Sequence, residues 1–123
     1  MAKNSYLLIN EPALQVLPSL VLEIGLEEAI VLQELHSLII DPKYLDWTIE
    51  DDEKWIFNTY EKWKVCFFPF WSTTKIQRIF LNLEKMGLVI SKKRYRNKKY
   101  RIDYYALIAR TMPIEDSSTE QNA

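Results

Sequence analysis

A single cysteine, Cys66, rules out an internal disulfide, and a single histidine, His36, cannot build a metal site with it unless carboxylates fill the other positions. Disulfide and zinc frameworks are therefore excluded, and no metal or other cofactor is expected. Two glycines, Gly25 and Gly87, stand where helices would stop, too few and too scattered for a glycine-rich phosphate loop. Paired carboxylates and a nucleophile with a base are also lacking, which argues against an enzyme. Every apolar stretch is cut by Glu, Gln, Lys or Pro well before the roughly 18 to 20 consecutive residues a membrane span needs. The opening MAKNSYLLINEP lacks the apolar core and small-residue cleavage site of a signal peptide, so a cytoplasmic location is expected, with no membrane partner.

What is present is enough for one folded domain: 48% of the 123 residues are hydrophobic and 13% aromatic. The formal net charge of -1 hides a strong segregation along the chain. Residues 1–71 hold 5 Lys/Arg against 12 Asp/Glu, a balance of -7, whereas residues 72–110 hold 11 against 2, a balance of +9. Residues 111–123 add three acids and no base, and with their serines and Pro113 they are expected to form an acidic flexible tail after a domain spanning 1–110. A local concentration of positive charge suits a polyanion, because a phosphate backbone senses the field within about 8 to 10 Å.

Periodicity and capping residues predict the elements. YLLIN at 6–10 reads as a short strand or extended arm. Pro18 and Gly25 bound a short helix, and LEEAIVLQELHSLII from 26 to 40 is a longer one. The apolar residues of this second helix point nearly all round, which makes it either the central helix of the core or part of a dimer interface. His36 within it reads as a partly buried structural histidine, and Cys66 as a small core residue beside phenylalanines. Residues 41–54, with Pro42 and the acids Glu50 to Glu53, read as a solvated loop rather than a calcium site, since ligand spacing and glycine are wrong. KWIFN at 54–58 fits a strand, and Asn58 with Glu61 fits a capping box opening the next helix.

From Ser72 the sequence runs STTKIQRIFLNLEKMG. Ile76, Ile79, Phe80 and Leu83 form one apolar stripe, leaving Thr74, Lys75, Arg78, Leu81, Asn82 and Lys85 on the opposite face. After Gly87, LVISKKRY and YRIDYYALIA read as two strands of a hairpin with residues 96–99 between them. A register centred on Asn97 and Lys98 sets Lys92 opposite Asp103 and Arg94 opposite Arg101, leaving most of the cations unpaired. Helix, turn, basic-faced helix and basic hairpin is the order of a winged helix-turn-helix, an α+β and mainly helical fold. Its second helix fits a major groove, and its hairpin wing reaches the neighbouring backbone.

WIFNTYEKW at 55–63, FPFWSTTKIQRIFLNLEKMGLV at 68–89 and the opening YLLINEPALQVLPSLVLEIGLEEAIVLQELH together resemble bacteriophage and plasmid replication-initiation proteins, whose N-terminal winged helix is similar to the primosomal DnaD type. The resemblance covers residues 6–107 and implies DNA binding linked to replication initiation or other phage-derived DNA transactions. Its motif residues Trp55, Tyr60, Trp63, Phe70 and Trp71 are expected to pack the helices together. Members continue into a C-terminal region that contacts the replication machinery, where this sequence has its short acidic tail. A stand-alone regulator or a domain of something longer is therefore expected rather than an origin-specific initiator.

The expected partner is double-stranded DNA. The recognition helix would supply Ser72, Thr73, Thr74, Lys75, Arg78, Asn82 and Lys85, with Arg and Asn suited to guanine and adenine edges and the hydroxyls suited to a phosphate. The wing would supply Lys92, Lys93, Arg94, Tyr95, Arg96, Lys98, Lys99 and Arg101 to phosphates. The rival expectation is a winged-helix module for protein contacts, as a homodimer or with a replication protein. Leu81 on the outward face and the all-round apolar helix 26–40 favour it.

Overall fold

The computed structural model describes residues 13–95 and 97–111, together with no side-chain detail at Arg94 and Thr111. The extended segment expected at 6–10, Arg96 and the acidic tail from residue 112 lie outside the described residues.

Two helices joined by one residue come first, α1 (Pro18–Ile24) and α2 (Leu26–Ile40). Pro18 suits the start of α1, where its missing N–H is not needed. Gly25 sits at φ 102°, donates to Val21 O at 2.8 Å and accepts from the Ala29 N–H at 2.9 Å, so one residue closes α1 and opens α2. A β-carbon there would lie 2.9 Å from Glu28 Oε1, in a backbone region that glycine adopts without strain. Ala29, Val31, Leu32, Leu35, Leu38 and Ile39 of α2 are all buried by the chain itself, and its exposed apolar residues, Leu26 and Ile40, are at its two ends. Of the two readings of this helix, the central one describes its packing. His36 departs from expectation: it is exposed, with Nδ1 2.8 Å from the Tyr104 hydroxyl.

Part of the expected loop is a strand. β1 (Trp47–Glu50) pairs antiparallel with β2 (Glu53–Asn58), and the reversal is made by Asp51 and Asp52 at φ 54° and 63°. Two left-handed residues match the twist of the flanking strands, and Asp tolerates that region better than most. The run of acids is thus a hairpin tip.

The cap that follows is Thr59, not Asn58: Thr59 Oγ1 accepts from the Lys62 N–H at 3.1 Å. The next helical segment, α3 (Tyr60–Lys62), widens at once into a π-helical turn over Trp63–Phe67, where the Phe68 N–H reaches Trp63 O at 2.8 Å. Trp63, Phe67 and Phe68 are buried, and the Trp63 ring lies 5.2 Å from Phe80 and 5.7 Å from Tyr100, centroid to centroid. Val65 and Cys66 face outward in this turn, so Cys66 is exposed and not the core residue expected. Lys64 closes the aromatic corner by donating to Trp71 O at 2.7 Å; Trp71 is half-buried there, while Phe70, expected in the helix packing, is exposed.

α4 (Thr73–Lys85) starts at the expected cap, with Ser72 Oγ accepting from the Lys75 N–H at 3.1 Å, and buries its predicted stripe of Ile76, Ile79, Phe80 and Leu83. Gly87, at φ 79°, ends it, and the Leu88 N–H bonds to Leu83 O at 3.0 Å, with both leucines buried.

The basic hairpin is formed by β3 (Val89–Arg94) and β4 (Asn97–Ile102), but its register differs from expectation. Lys92 lies opposite Lys99 and Arg94 opposite Asn97, with Tyr95 at φ 55° in the turn. The reason is tertiary: Tyr100 pairs with Ile56 of β2 on one side and Ser91 on the other, and this double pairing places Tyr100 and Ile102 in the core. Tyr104–Thr111, expected to continue the strand, is a helix, α5, started by Asp103 Oδ1 accepting from the Ala106 N–H at 3.1 Å. The described fold is α+β, five helical segments with a four-stranded antiparallel sheet in the order β1-β2-β4-β3. None of its helices is long and apolar enough to cross a membrane.

Candidate nucleic-acid interface

The polar side of α4 is divided in two. Lys75 and Asn82 turn toward the first turn of α2: Lys75 Nζ is 2.5 Å from Glu27 Oε2, and Asn82 Nδ2 donates to Glu28 Oε2 at 3.0 Å. They were expected on an outward face, but α2 crosses close enough for its N-terminal acids to take both. Arg78 stands between, 3.6 Å from Glu27 yet with 60% of its side chain exposed. The face that does look outward carries Thr74, Gln77, Arg78, Leu81 and Lys85, beginning beside the exposed cap Ser72 and the half-buried Thr73. Gln77 was missed, although it falls three residues after Thr74 on the same helical side.

The hairpin is equally divided. Side chains alternate across a strand, so Lys99 and Arg101 lie on the sheet face away from the core, over Trp55 of β2. Lys99 Nζ is 4.6 Å, Arg101 Cζ 5.3 Å and Lys92 Nζ 5.4 Å from the Trp55 ring centroid, all within cation–π range. Trp55 therefore works as a platform under cations and not, as expected, in the packing of the helices. Glu50 and Glu53 of the acidic hairpin reach the same face, Glu50 2.5 Å from Lys99 and Glu53 3.7 Å from Arg101. Lys99 is buried as a result, at 7% exposure. Lys98, on the other face, donates to the Tyr60 hydroxyl at 3.0 Å and lies 3.8 Å from Glu84. Lys92, Lys93 and Tyr95 are exposed, Tyr95 at 90%.

Charge that is segregated along the chain is thus interleaved in space. Glu23, Glu27, Glu50 and Glu53, all from the acidic first 71 residues, meet Arg110, Lys75 with Arg78, Lys99 and Arg101 of the basic stretch. The expectation that most wing cations are unpaired is corrected for Lys98, Lys99 and Arg101. The acids beside Lys99 and Arg101 were invisible locally, because they lie 49 and 48 residues away in a segment that reads as a separate acidic half, whereas Glu84 beside Lys98 is 14 residues away in the basic stretch itself.

A polar cleft of about 360 Å³ joins the two surfaces, with Gln77 of α4 and Lys93 and Lys98 of the hairpin on its walls. Tyr100 lies at its floor, where burial and then the neighbouring Tyr60 hydroxyl drive its phenol well above the ordinary tyrosine value, so it remains a protonated donor. No cluster of metal-ligating side chains occurs among the described residues. Compared with models of known protein families, with curated proteins and with solved structures, the chain gives no match.

Proposed function

We propose that the protein is a DNA-binding winged helix-turn-helix protein, with α4 as the recognition helix and the β3–β4 hairpin as the wing. A role in replication initiation or another phage-derived DNA transaction is the context its sequence resemblance suggests. The observation that carries the reading is the adjacency of Gln77 on the exposed side of α4 to Lys93 and Lys98 of the hairpin across one cleft. The chain order α2, β2, α3, α4, β3, β4, with β4 between β2 and β3, agrees with it.

Among the described side chains the contact set is narrower than the basic composition suggests. Gln77 and Arg78 are the base-reading candidates, Leu81 suits a thymine methyl, and Arg78, Lys85, Lys92 and Lys93 are the exposed cations for phosphate. The test is an anisotropy titration against random duplex over a series of salt concentrations. About four phosphate contacts predict a slope of log K against log salt of about -3 to -4. Binding that is absent at low salt, or indifferent to salt, overturns the reading.

The second reading, a protein-contact module, is favoured by the internal pairing of Lys75, Lys98, Lys99 and Arg101 and by Leu81 at 43% exposure beside Arg78. It predicts concentration-dependent self-association or capture of a replication protein that Leu81→Glu abolishes, with no duplex binding.

A further inference from the structure

The cleft between α3, α4 and the hairpin contains a buried donor that the fold does not use. Asn58 is 3% exposed and lines the cleft, and its Oδ1 accepts from the Thr59 N–H at 2.9 Å. That bond fixes the amide orientation, so the other end is Nδ2, which has no hydrogen-bond partner among the described residues. Leaving such a donor unused is costly, and native proteins rarely do so without a reason. Beside it the buried Tyr100 hydroxyl lies near Tyr60 and Trp63 without an aligned hydrogen bond to either. Lys98 reaches the same cleft, and its ammonium has three donors, of which Tyr60 takes one at 3.0 Å while the Glu84 carboxylate lies 3.8 Å away. Lys93 and Gln77 complete the walls, and Glu61 is the one carboxylate among the lining residues.

We infer that this cleft is a phosphate-binding site, with Lys93 and Lys98 supplying charge and Asn58, Gln77 and Tyr100 supplying neutral donors. Donors outnumber acceptors on its walls; Lys93 offsets Glu61, and Lys98, whose charge is shared with Glu84 at 3.8 Å, adds further donors. A tetrahedral oxyanion, with acceptors in several directions, matches such a set better than a planar carboxylate does. The phosphate belongs either to a nucleic-acid backbone, in which case the inference deepens the DNA reading, or to a free phosphate-bearing molecule.

The experiment uses the full chain, labelled with ¹⁵N, and inorganic phosphate as the probe against chloride at matched ionic strength. Phosphate should shift the Asn58 side-chain amide resonances in a saturable way, and Lys98→Met should weaken that response by about tenfold or more. Circular dichroism checks that the variant is folded; if it is not, the exposed Lys93→Gln takes its place, with a smaller loss expected. A second arm adds duplex DNA. Phosphate that competes with duplex identifies a backbone phosphate as the occupant, and phosphate that binds without affecting duplex identifies a free phosphate-bearing ligand; both support the site. Absence of a phosphate-specific shift, or a shift unchanged in folded Lys98→Met and Lys93→Gln, overturns it. Duplex binding without that shift rejects the cleft and leaves the DNA reading standing, whereas the shift without duplex binding does the reverse.

Discussion

Replacing Glu27 by Gln should make the protein bind DNA more tightly, although it removes interactions that hold the fold. Glu27 lies 2.5 Å from Lys75 and 3.6 Å from Arg78, and the three side chains are 34%, 34% and 60% exposed. Pairs this accessible contribute about 0.2 to 1 kcal/mol each, so E27Q should cost about 1 kcal/mol of folding stability. For DNA the same acid is a competitor, since a phosphate approaching α4 must displace or tolerate it. Removing a competition of about 1 kcal/mol corresponds to a gain in duplex affinity of about fivefold. Arg78 already counts among the phosphate contacts, so freeing Lys75 to make one more steepens the salt slope by about 0.9. Anisotropy titrations of wild type and E27Q at several salt concentrations, with a urea melt as control, measure each quantity. Folded E27Q that binds with wild-type affinity and slope would refute the placement of α4 against DNA.

Lys92→Ala with Lys93→Ala should weaken binding to all duplexes alike, whereas Gln77→Ala or Arg78→Ala should reduce discrimination at one or two base pairs, as read by a panel of single-base variants. Trp63→Ala removes the ring shared by Phe67, Phe68, Phe80 and Tyr100, and urea denaturation should show a loss of about 3 to 5 kcal/mol. Gly25→Ala forces a β-carbon onto φ 102° and against Glu28, with an expected cost of about 1 to 3 kcal/mol; adding Glu28→Ala should relieve only the contact. Burial raises the Glu34 carboxyl above its ordinary pKa, partly opposed by Lys43. The folded chain therefore holds that proton more tightly than the unfolded chain, and stability present below the unfolded pKa is lost as pH rises through the folded one. Glu34→Gln should be more stable than wild type at neutral pH, with the difference vanishing in acid, as followed by thermal melts across pH.

Elements whose signals are local were legible in the sequence. The cap Ser72, the stripe Ile76 to Leu83 and the stop at Gly87 each act within one or two helical turns, and α4 occupies the residues they define. The features that were not legible depend on distant partners or on turns without their usual residues. Asp51–Asp52 makes a left-handed turn with no glycine to mark it, so β1 was read as loop. The hairpin register follows from Tyr100 meeting Ile56, 44 positions away in the chain, and nothing near Asn97 records that pairing. Asp103 did carry a capping signal, but YYALIA has the aromatic and aliphatic composition of a strand, and composition prevailed over the cap. For the candidate site, residue types were legible and orientation was not. Lys75 and Asn82 differ from Arg78 by how closely each is held against Glu27 and Glu28.

The interleaving of acidic and basic residues also bears on the order in which the molecule can assemble. Synthesis delivers the acidic half first, and with a balance of -7 it repels itself while its counter-ions are still to come. Helix α2 cannot complete its packing in that interval, because α4 and β4 against which it rests follow it in the chain. Once Lys75 and then Lys99 and Arg101 emerge, attraction draws the later segments onto the earlier ones, and Glu27, Glu50 and Glu53 find their partners as the core closes. Self-repulsion thus works against compaction of the first half by itself, and its acids gain their counter-ions only when the basic stretch is in place.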